Sequence, residues 1–115
     1  MNRVSYFEMS ALDMNRAKAF WEKTFGWEFQ KYEGMDYYAV KTGKDGAGID
    51  GGLSQREKDN QVVNNIEVAS IDQTVKEIVK NGGKILVPKS EIPGMGYYAI
   101  FVDSEDNTFS IMETT

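Results

Sequence analysis

Glu8 and Glu67 stand at matching places in two similar stretches, Phe7-Glu8-Met9-Ser10-Ala11-Leu12-Asp13 and Ile66-Glu67-Val68-Ala69-Ser70-Ile71-Asp72, 59 residues apart (66 − 7). Two carboxylates brought together by a repeat can split their pKa values and do acid–base work. The plainer alternative gives each a nearby cation, such as Arg3 or Lys41, or water at a rim. Asp50 is the third carboxylate with an informative setting, in Gly48-Ile49-Asp50-Gly51-Gly52-Leu53. Glycines inside a strand leave room for a ligand or a second backbone. Asp50 in such a place is a hydrogen-bond acceptor, an anchor for a cation or a general base. The alternative is a partly solvated carboxylate on a bulged strand.

Other chemistries are closed by composition. The 115 residues include no His and no Cys. That removes imidazole acid–base catalysis, Ser-His-Asp triads, thiolate nucleophiles, disulfides and every metal site built on nitrogen or sulfur. A metal could be held only by oxygen. With 13 Lys+Arg against 18 Asp+Glu, the formal charge is −5. No basic stripe offers itself to phosphates, so no nucleic-acid partner is expected. No apolar run approaches the ~20 residues of a membrane span, so no membrane partner is expected either. Met1-Asn2-Arg3-Val4-Ser5 lacks the apolar stretch of a signal peptide, and a soluble cytoplasmic protein is the default expectation.

The elements that must position these carboxylates come in two copies. Gly34-Met35-Asp36-Tyr37-Tyr38-Ala39-Val40 resembles Gly94-Met95-Gly96-Tyr97-Tyr98-Ala99-Ile100 at an offset of 60 (94 − 34). Together with the 59-residue match, this reads as two modules, 1–53 and 62–115. Ser54-Gln55-Arg56-Glu57-Lys58-Asp59-Asn60 is the polar linker between them. In the first module, alternation predicts a strand over 4–9 with Phe7 and Met9 on one face and Tyr6 and Glu8 on the other. Asp13 caps a helix reaching Phe25, whose Ala17, Phe20, Trp21, Thr24 and Phe25 follow helical spacing, with Phe20, Trp21 and Phe25 expected in the core. Gly26 suits the left-handed position that ends it. Strands are predicted over 27–31, 37–42 and 47–53. The second module reads alike: strands over 62–68, 85–87, 97–102 and 108–112, and a helix over 72–81 burying Val75, Ile78 and Val79. Each half is β-α-β-β-β. The fold class is α+β, with the two repeats forming a curved mixed sheet and both helices outside.

A doubled βαβββ module resembles the vicinal oxygen chelate superfamily, which includes glyoxalase, the bleomycin resistance proteins and the extradiol dioxygenases. The resemblance covers nearly the whole chain. It is carried by Arg16-Ala17-Lys18-Ala19-Phe20-Trp21-Glu22-Lys23-Thr24-Phe25-Gly26-Trp27, the glycine-rich 48–53 stretch, Gly82-Gly83-Lys84, Ile92 to Ala99, and Phe101-Val102-Asp103-Ser104-Glu105-Asp106-Asn107. In metal-using members each module gives one ligand from its first strand and one from its last. The resemblance puts those positions on Tyr6 and Asp50 in the first module, and on Asn65 and Ser110 in the second. This set holds one carboxylate, a phenol that titrates near ~10, and two weak neutral donors. The family's metal site is therefore expected to be lost, and no cofactor is expected.

The resemblance then implies a metal-independent small-molecule-binding protein of the glyoxalase/bleomycin-resistance type. Its ligand, a small organic compound of cationic or aromatic character, would lie between the modules against Tyr6, Asp50, Asn65, Ser110 and Phe101. The alternatives are a glyoxalase-like lyase or isomerase with Asp50 or the Glu8/Glu67 pair as base and Tyr6 as acid, or a dimerising accessory domain with a vestigial pocket. Family members usually pair, so a homodimer is expected.

Overall fold

Short alternating strands and two amphipathic helices set the element order β1 (Arg3–Ala11), α1 (Met14–Phe25), β2 (Glu28–Lys31), β3 (Tyr37–Lys41), β4 (Asp50–Gln55), β5 (Val63–Glu67), α2 (Ile71–Lys80), β6 (Lys84–Ile92), β7 (Gly96–Val102) and β8 (Thr108–Thr114). The computed structural model describes residues 1–57 and 62–115. The chain divides into two units, residues 6–62 and residues 63–115 joined by 1–5. Both are mixed α+β modules of the expected β-α-β-β-β order. The expected linker is shorter than its sequence suggests, because Ser54 and Gln55 belong to β4. Its residues 58–60 lie outside the described residues.

In the first unit the strands lie in the order β2-β3-β4-β1, with β1 parallel to β4 and the other neighbours antiparallel. Phe7, Met9 and Ala11 take one face of β1 and pack with Val40 and Leu53 under Met14, Ala17 and Trp21 of α1. Leu53 is only 1% exposed, and burying it contributes about 1.5–3 kcal/mol. Asp13 caps α1 by accepting from Arg16 N–H at 2.9 Å. At the other end Gly26 has φ 73° and its N–H reaches Glu22 O at 2.9 Å. A side chain there would be strained, so the helix stops where the glycine stands.

One expectation fails in α1. Phe20 and Phe25 are 55% and 60% exposed, and no residue of the helix is fully buried. The apolar stripe is wider than the face it covers. Met14, Ala17 and Trp21 reach the sheet, whereas Phe20 and Phe25 flank Trp21, with ring centroids 5.2 and 5.4 Å from its own. Trp21 in turn stacks on Trp27 at 4.6 Å and 7° between planes, and Phe7 lies 5.8 Å from Trp27.

In the second unit the order is β5-β8-β7-β6, with β5 parallel to β8. Val68, Ile71, Ala99, Phe101 and Ile111 form its core, with Val75 and Ile78 of α2 against them. Val79, expected inside, is 56% exposed. Ser70 rather than Asp72 opens α2, accepting from Gln73 N–H at 3.2 Å. The carboxylate of Glu113 adds a cap from β8, accepting from Ile71 N–H at 2.7 Å. Each unit thus has its own core between its helix and one face of its strands.

Candidate functional site

On β1 the alternation that buries Phe7 and Met9 sends Tyr6 and Glu8 to the face turned away from α1. There the Tyr37 hydroxyl, from β3, donates to Glu8 Oε2 at 2.8 Å and is hydrogen-bonded to the Tyr6 hydroxyl. Because its one proton goes to Glu8, Tyr37 accepts from Tyr6, and the chain of donors runs Tyr6 to Tyr37 to Glu8. Tyr32 extends the aromatic surface, its ring 5.3 Å from that of Tyr37. Its backbone N–H donates to Tyr37 O at 2.9 Å and closes the β2–β3 hairpin.

Gly52 makes this arrangement possible. It stands opposite Glu8 in the parallel register and opposite Ala39 in the antiparallel one. A Cβ at position 52 would run into the hydroxyls of Tyr37 and Tyr6. Two small residues side by side therefore leave the hollow into which both phenols lean.

Burial shapes the electrostatics. Loss of water raises the Glu8 carboxyl above the ordinary glutamate range, and the Tyr37 hydrogen bond only partly offsets it. Tyr6 is pushed up to about 12, first by burial and then by the nearby Glu8 charge. Tyr37 is raised as well, mainly by burial and then by Glu8. Both phenols stay neutral donors at physiological pH, and neither described ion pair, Lys18–Glu22 or Lys89–Asp72, involves Glu8. The alternative of an Arg3 or Lys41 partner for Glu8 gives way to a phenol.

The expected site residues fall in register pairs. Tyr6 lies opposite Asp50, and Asn65 opposite Ser110. The Tyr6 and Asp50 side chains nevertheless serve different partners. Asp50 is exposed at the start of β4 and accepts from Thr42 N–H at 2.9 Å. The Thr42 hydroxyl lies 3.3 Å from the same carboxylate and donates to Ile49 O at 2.6 Å. Asp50 thus ties off the turn that precedes it. Asn65 and Ser110 are 8% and 5% exposed, on the face of the second unit away from α2. The Ser110 hydroxyl has no hydrogen-bond partner among the described residues. Phe101 sits on the other face, in the α2 core, with its ring 6.3 Å from that of Phe109. Its strand neighbour Ile100, not Phe101, pairs with Ser110. Glu67 lies opposite Met112, and its carbonyl accepts from Asn2 N–H at 2.7 Å.

The donor chemistry can be set against the family's metal. Tyr6 is a neutral phenol already engaged with Tyr37, Asp50 is engaged with Thr42, and Asn65 and Ser110 carry no charge. Among the described residues no group of three or more carboxylates is placed to hold an ion. A divalent cation that prefers several anionic oxygens does not fit this set.

Tyr37 is the residue that alternation alone leaves unassigned. The Gly34–Val40 match sets it beside Tyr97, which packs in the α2 core. The place of Tyr37 beside Glu8 follows from strand register, which sets Gly52 between Ala39 and Glu8.

Comparison with known proteins agrees with this architecture. The sequence model of the Glyoxalase/Bleomycin resistance protein/Dioxygenase superfamily matches residues 3–111. No curated protein matches. A hypothetical protein from Bacillus halodurans C-125 superposes with a TM-score of 0.73 at 9% identity, over 98% of this chain and 94% of that one. Methylmalonyl-CoA epimerase of Streptomyces coelicolor, solved with 2-nitronate-propionyl-CoA, gives 0.67 at 14% identity, over 100% and 96%. The Mycobacterium tuberculosis methylmalonyl-CoA epimerase gives 0.65 at 8% identity, over 96% and 87%. At these identities the likeness is one of fold. Among the described residues no helix is long and apolar enough to cross a membrane.

Proposed function

The chain belongs to the glyoxalase/bleomycin resistance protein/dioxygenase superfamily, and on that premise we propose that it is a metal-independent small-molecule-binding protein whose recognition centre is Tyr6, Tyr37 and Glu8. The carrying observation is a partly buried carboxyl whose hydrogen-bond partner is a phenol rather than a cation. A ligand with an ammonium group would supply the positive partner that Glu8 lacks among the described residues. The rings of Tyr32 and Tyr37 would receive its cationic or aromatic body. The poor metal donor set supports the metal-free part of this reading. Pairing of two copies belongs to it too, supported by the apolar surface at Phe25 and tested by sedimentation.

Thermal unfolding tests it. A ligand of the native state must raise the midpoint by mass action. Quaternary ammonium and planar aromatic cations are expected to raise it saturably in the wild type and not in Glu8→Gln. Nickel, zinc, manganese and magnesium are expected to leave it unchanged. A saturable metal shift that Asp50→Ala removes would overturn the metal-free reading.

A second reading is favoured by the raised Glu8 carboxyl: a lyase or isomerase in which Glu8 takes a proton and a tyrosine hydroxyl returns one. Methylmalonyl-CoA, the ligand of an epimerase of this fold, is the substrate to try first. Deuterium entering its acidic carbon from heavy water, and lost in Glu8→Gln, would establish that reading over binding alone.

A further inference from the structure

The hydrogen-bonded chain of the first unit has a direction, and the direction decides what its two ends can receive. Tyr37 gives its one proton to Glu8 Oε2 at 2.8 Å and accepts from Tyr6. The Tyr6 proton is therefore spent inside the chain, and its oxygen turns only lone pairs outward. At the other end an ionised Glu8 has acceptors alone. Its second oxygen, Oε1, takes no hydrogen bond among the described residues. Both open ends of the chain accept, and neither donates.

These two ends stand close together. Tyr6 and Glu8 are alternate residues of β1 on one face, with backbones roughly 7 Å apart. Both are bonded to the same Tyr37 oxygen. That holds the Tyr6 oxygen and Glu8 Oε2 within about 6 Å of one another. Both residues are half-buried rather than sealed. Tyr32, 39% exposed, sets a second ring beside that of Tyr37.

We propose that Tyr6 is a specificity-determining residue, and that this face selects a planar cation with several N–H donors, an amidinium or guanidinium on an aromatic ring, over a quaternary ammonium of equal charge. The inference rests on the cation-binding reading above and names the class of cation. An amidinium carries two nitrogens in one plane, so one N–H can meet Glu8 while another meets the Tyr6 oxygen. Charge-assisted bonds of this kind are directional as well as strong. A quaternary ammonium has no N–H. It gains the charge of Glu8 and the faces of the rings, and it leaves the Tyr6 oxygen without a donor. A site built to receive donors rejects an analogue that lacks them. Tyr37 acts on this choice as a positioning residue, by holding the Tyr6 proton inward.

Isothermal titration calorimetry of the full chain, at mildly alkaline pH, with benzamidine and with phenyltrimethylammonium tests this. The two probes are monocations on the same ring. Benzamidine is expected to bind saturably and at least about tenfold more tightly. Tyr6→Phe removes the oxygen, and is expected to weaken benzamidine by about tenfold and bring the two probes within about threefold of each other. Tyr37→Phe keeps the Tyr6 oxygen but frees its proton to face the ligand, and is expected to narrow the ratio in the same way. A purely steric role for Tyr6 would leave the ratio in Tyr37→Phe unmoved, which would overturn the inference. Equal, saturable affinities in the wild type, or a Tyr6→Phe variant that keeps the full preference, would overturn it and leave the cation site standing. No saturable binding of either probe would overturn the cation-binding reading and this inference with it.

Discussion

The hydroxyl of Tyr37 occupies the space that a side chain at Gly52 would fill. The two residues come from adjacent antiparallel strands, β3 and β4, two register positions apart, since Tyr37 pairs with Ser54 and Gly52 with Ala39. The phenol leans along the sheet over the glycine until it meets Glu8. A missing side chain is thus what allows a carboxylate on one strand to be served by a phenol two strands away.

Gly52→Ala should therefore displace both phenols. Overpacking of this kind costs about 1–3 kcal/mol. Chemical denaturation would measure it, and the Glu8–Tyr37 hydrogen bond should be lost along with cation binding. An alanine variant as stable as the wild type would show that the phenols can lean elsewhere.

Tyr37→Phe keeps the ring and removes the donor. Burial raises the Glu8 carboxyl, and the Tyr37 hydrogen bond is what pulls it back down. Without it, the Glu8 titration should move further up. Carbon-detected NMR titration of the side-chain carboxyl follows this directly, and a downward move would contradict the assigned hydrogen bond.

The same group sets a pH dependence. Glu8 is raised in the folded state, so the folded protein holds its proton more tightly than the unfolded chain. Its contribution is most favourable below the ordinary carboxyl value of 4.5 and is lost as pH rises through the raised folded value. The stability of Glu8→Gln relative to the wild type should therefore increase across that window and level off above it. Urea midpoints at a series of pH values would show the opposite slope if Glu8 were held by a cation.

Ser110 offers a separate test. Its buried hydroxyl has no partner among the described residues, and such a group costs about 1–3 kcal/mol relative to a paired one. Ser110→Ala should stabilise the free protein by about 1 kcal/mol. A loss of stability would mean that the hydroxyl is satisfied in solution.

On α1, truncations should separate the residue that reaches the sheet from those that flank it. Trp21→Ala should cost about 3–5 kcal/mol, as core aromatics do, because it joins α1 to the cluster around Leu53. Phe25→Ser, at a position 60% exposed, should stay within about 1 kcal/mol of the wild type. Equal costs would show that the helix buries its whole stripe in solution, as in a dimer.

Elements and helix caps were legible because they depend on local chemistry. Asp13, Gly26 and the alternation of Tyr6, Phe7, Glu8 and Met9 each state their own role. The partner of Glu8 was not legible, because it depends on register. Gly34–Val40 and Gly94–Ile100 match best at an offset of 60. In the sheets, however, Tyr38 pairs with Leu53 and Tyr97 pairs with Glu113. Leu53 and Glu113 are 60 apart (113 − 53), so the counterpart of Tyr97 is Tyr38, 59 residues away (97 − 38). A slip of one residue turns a strand over. Tyr37 faces away from α1, while Tyr97 lies under α2. Phe101 lies in the α2 core, a placement that alternation does not give, because face cannot be fixed on a strand that is apolar on both sides.

The stacked Trp21–Trp27 pair has an experimental consequence. The chain has 2 tryptophans, and both lie in that pair within the first unit. Indole emission is therefore blind to the second unit, while the far-ultraviolet peptide signal reports on both. Melting curves followed by the two signals measure how cooperatively the two halves unfold. Coincident curves mean that neither half outlives the other, and separated curves give each half its own midpoint.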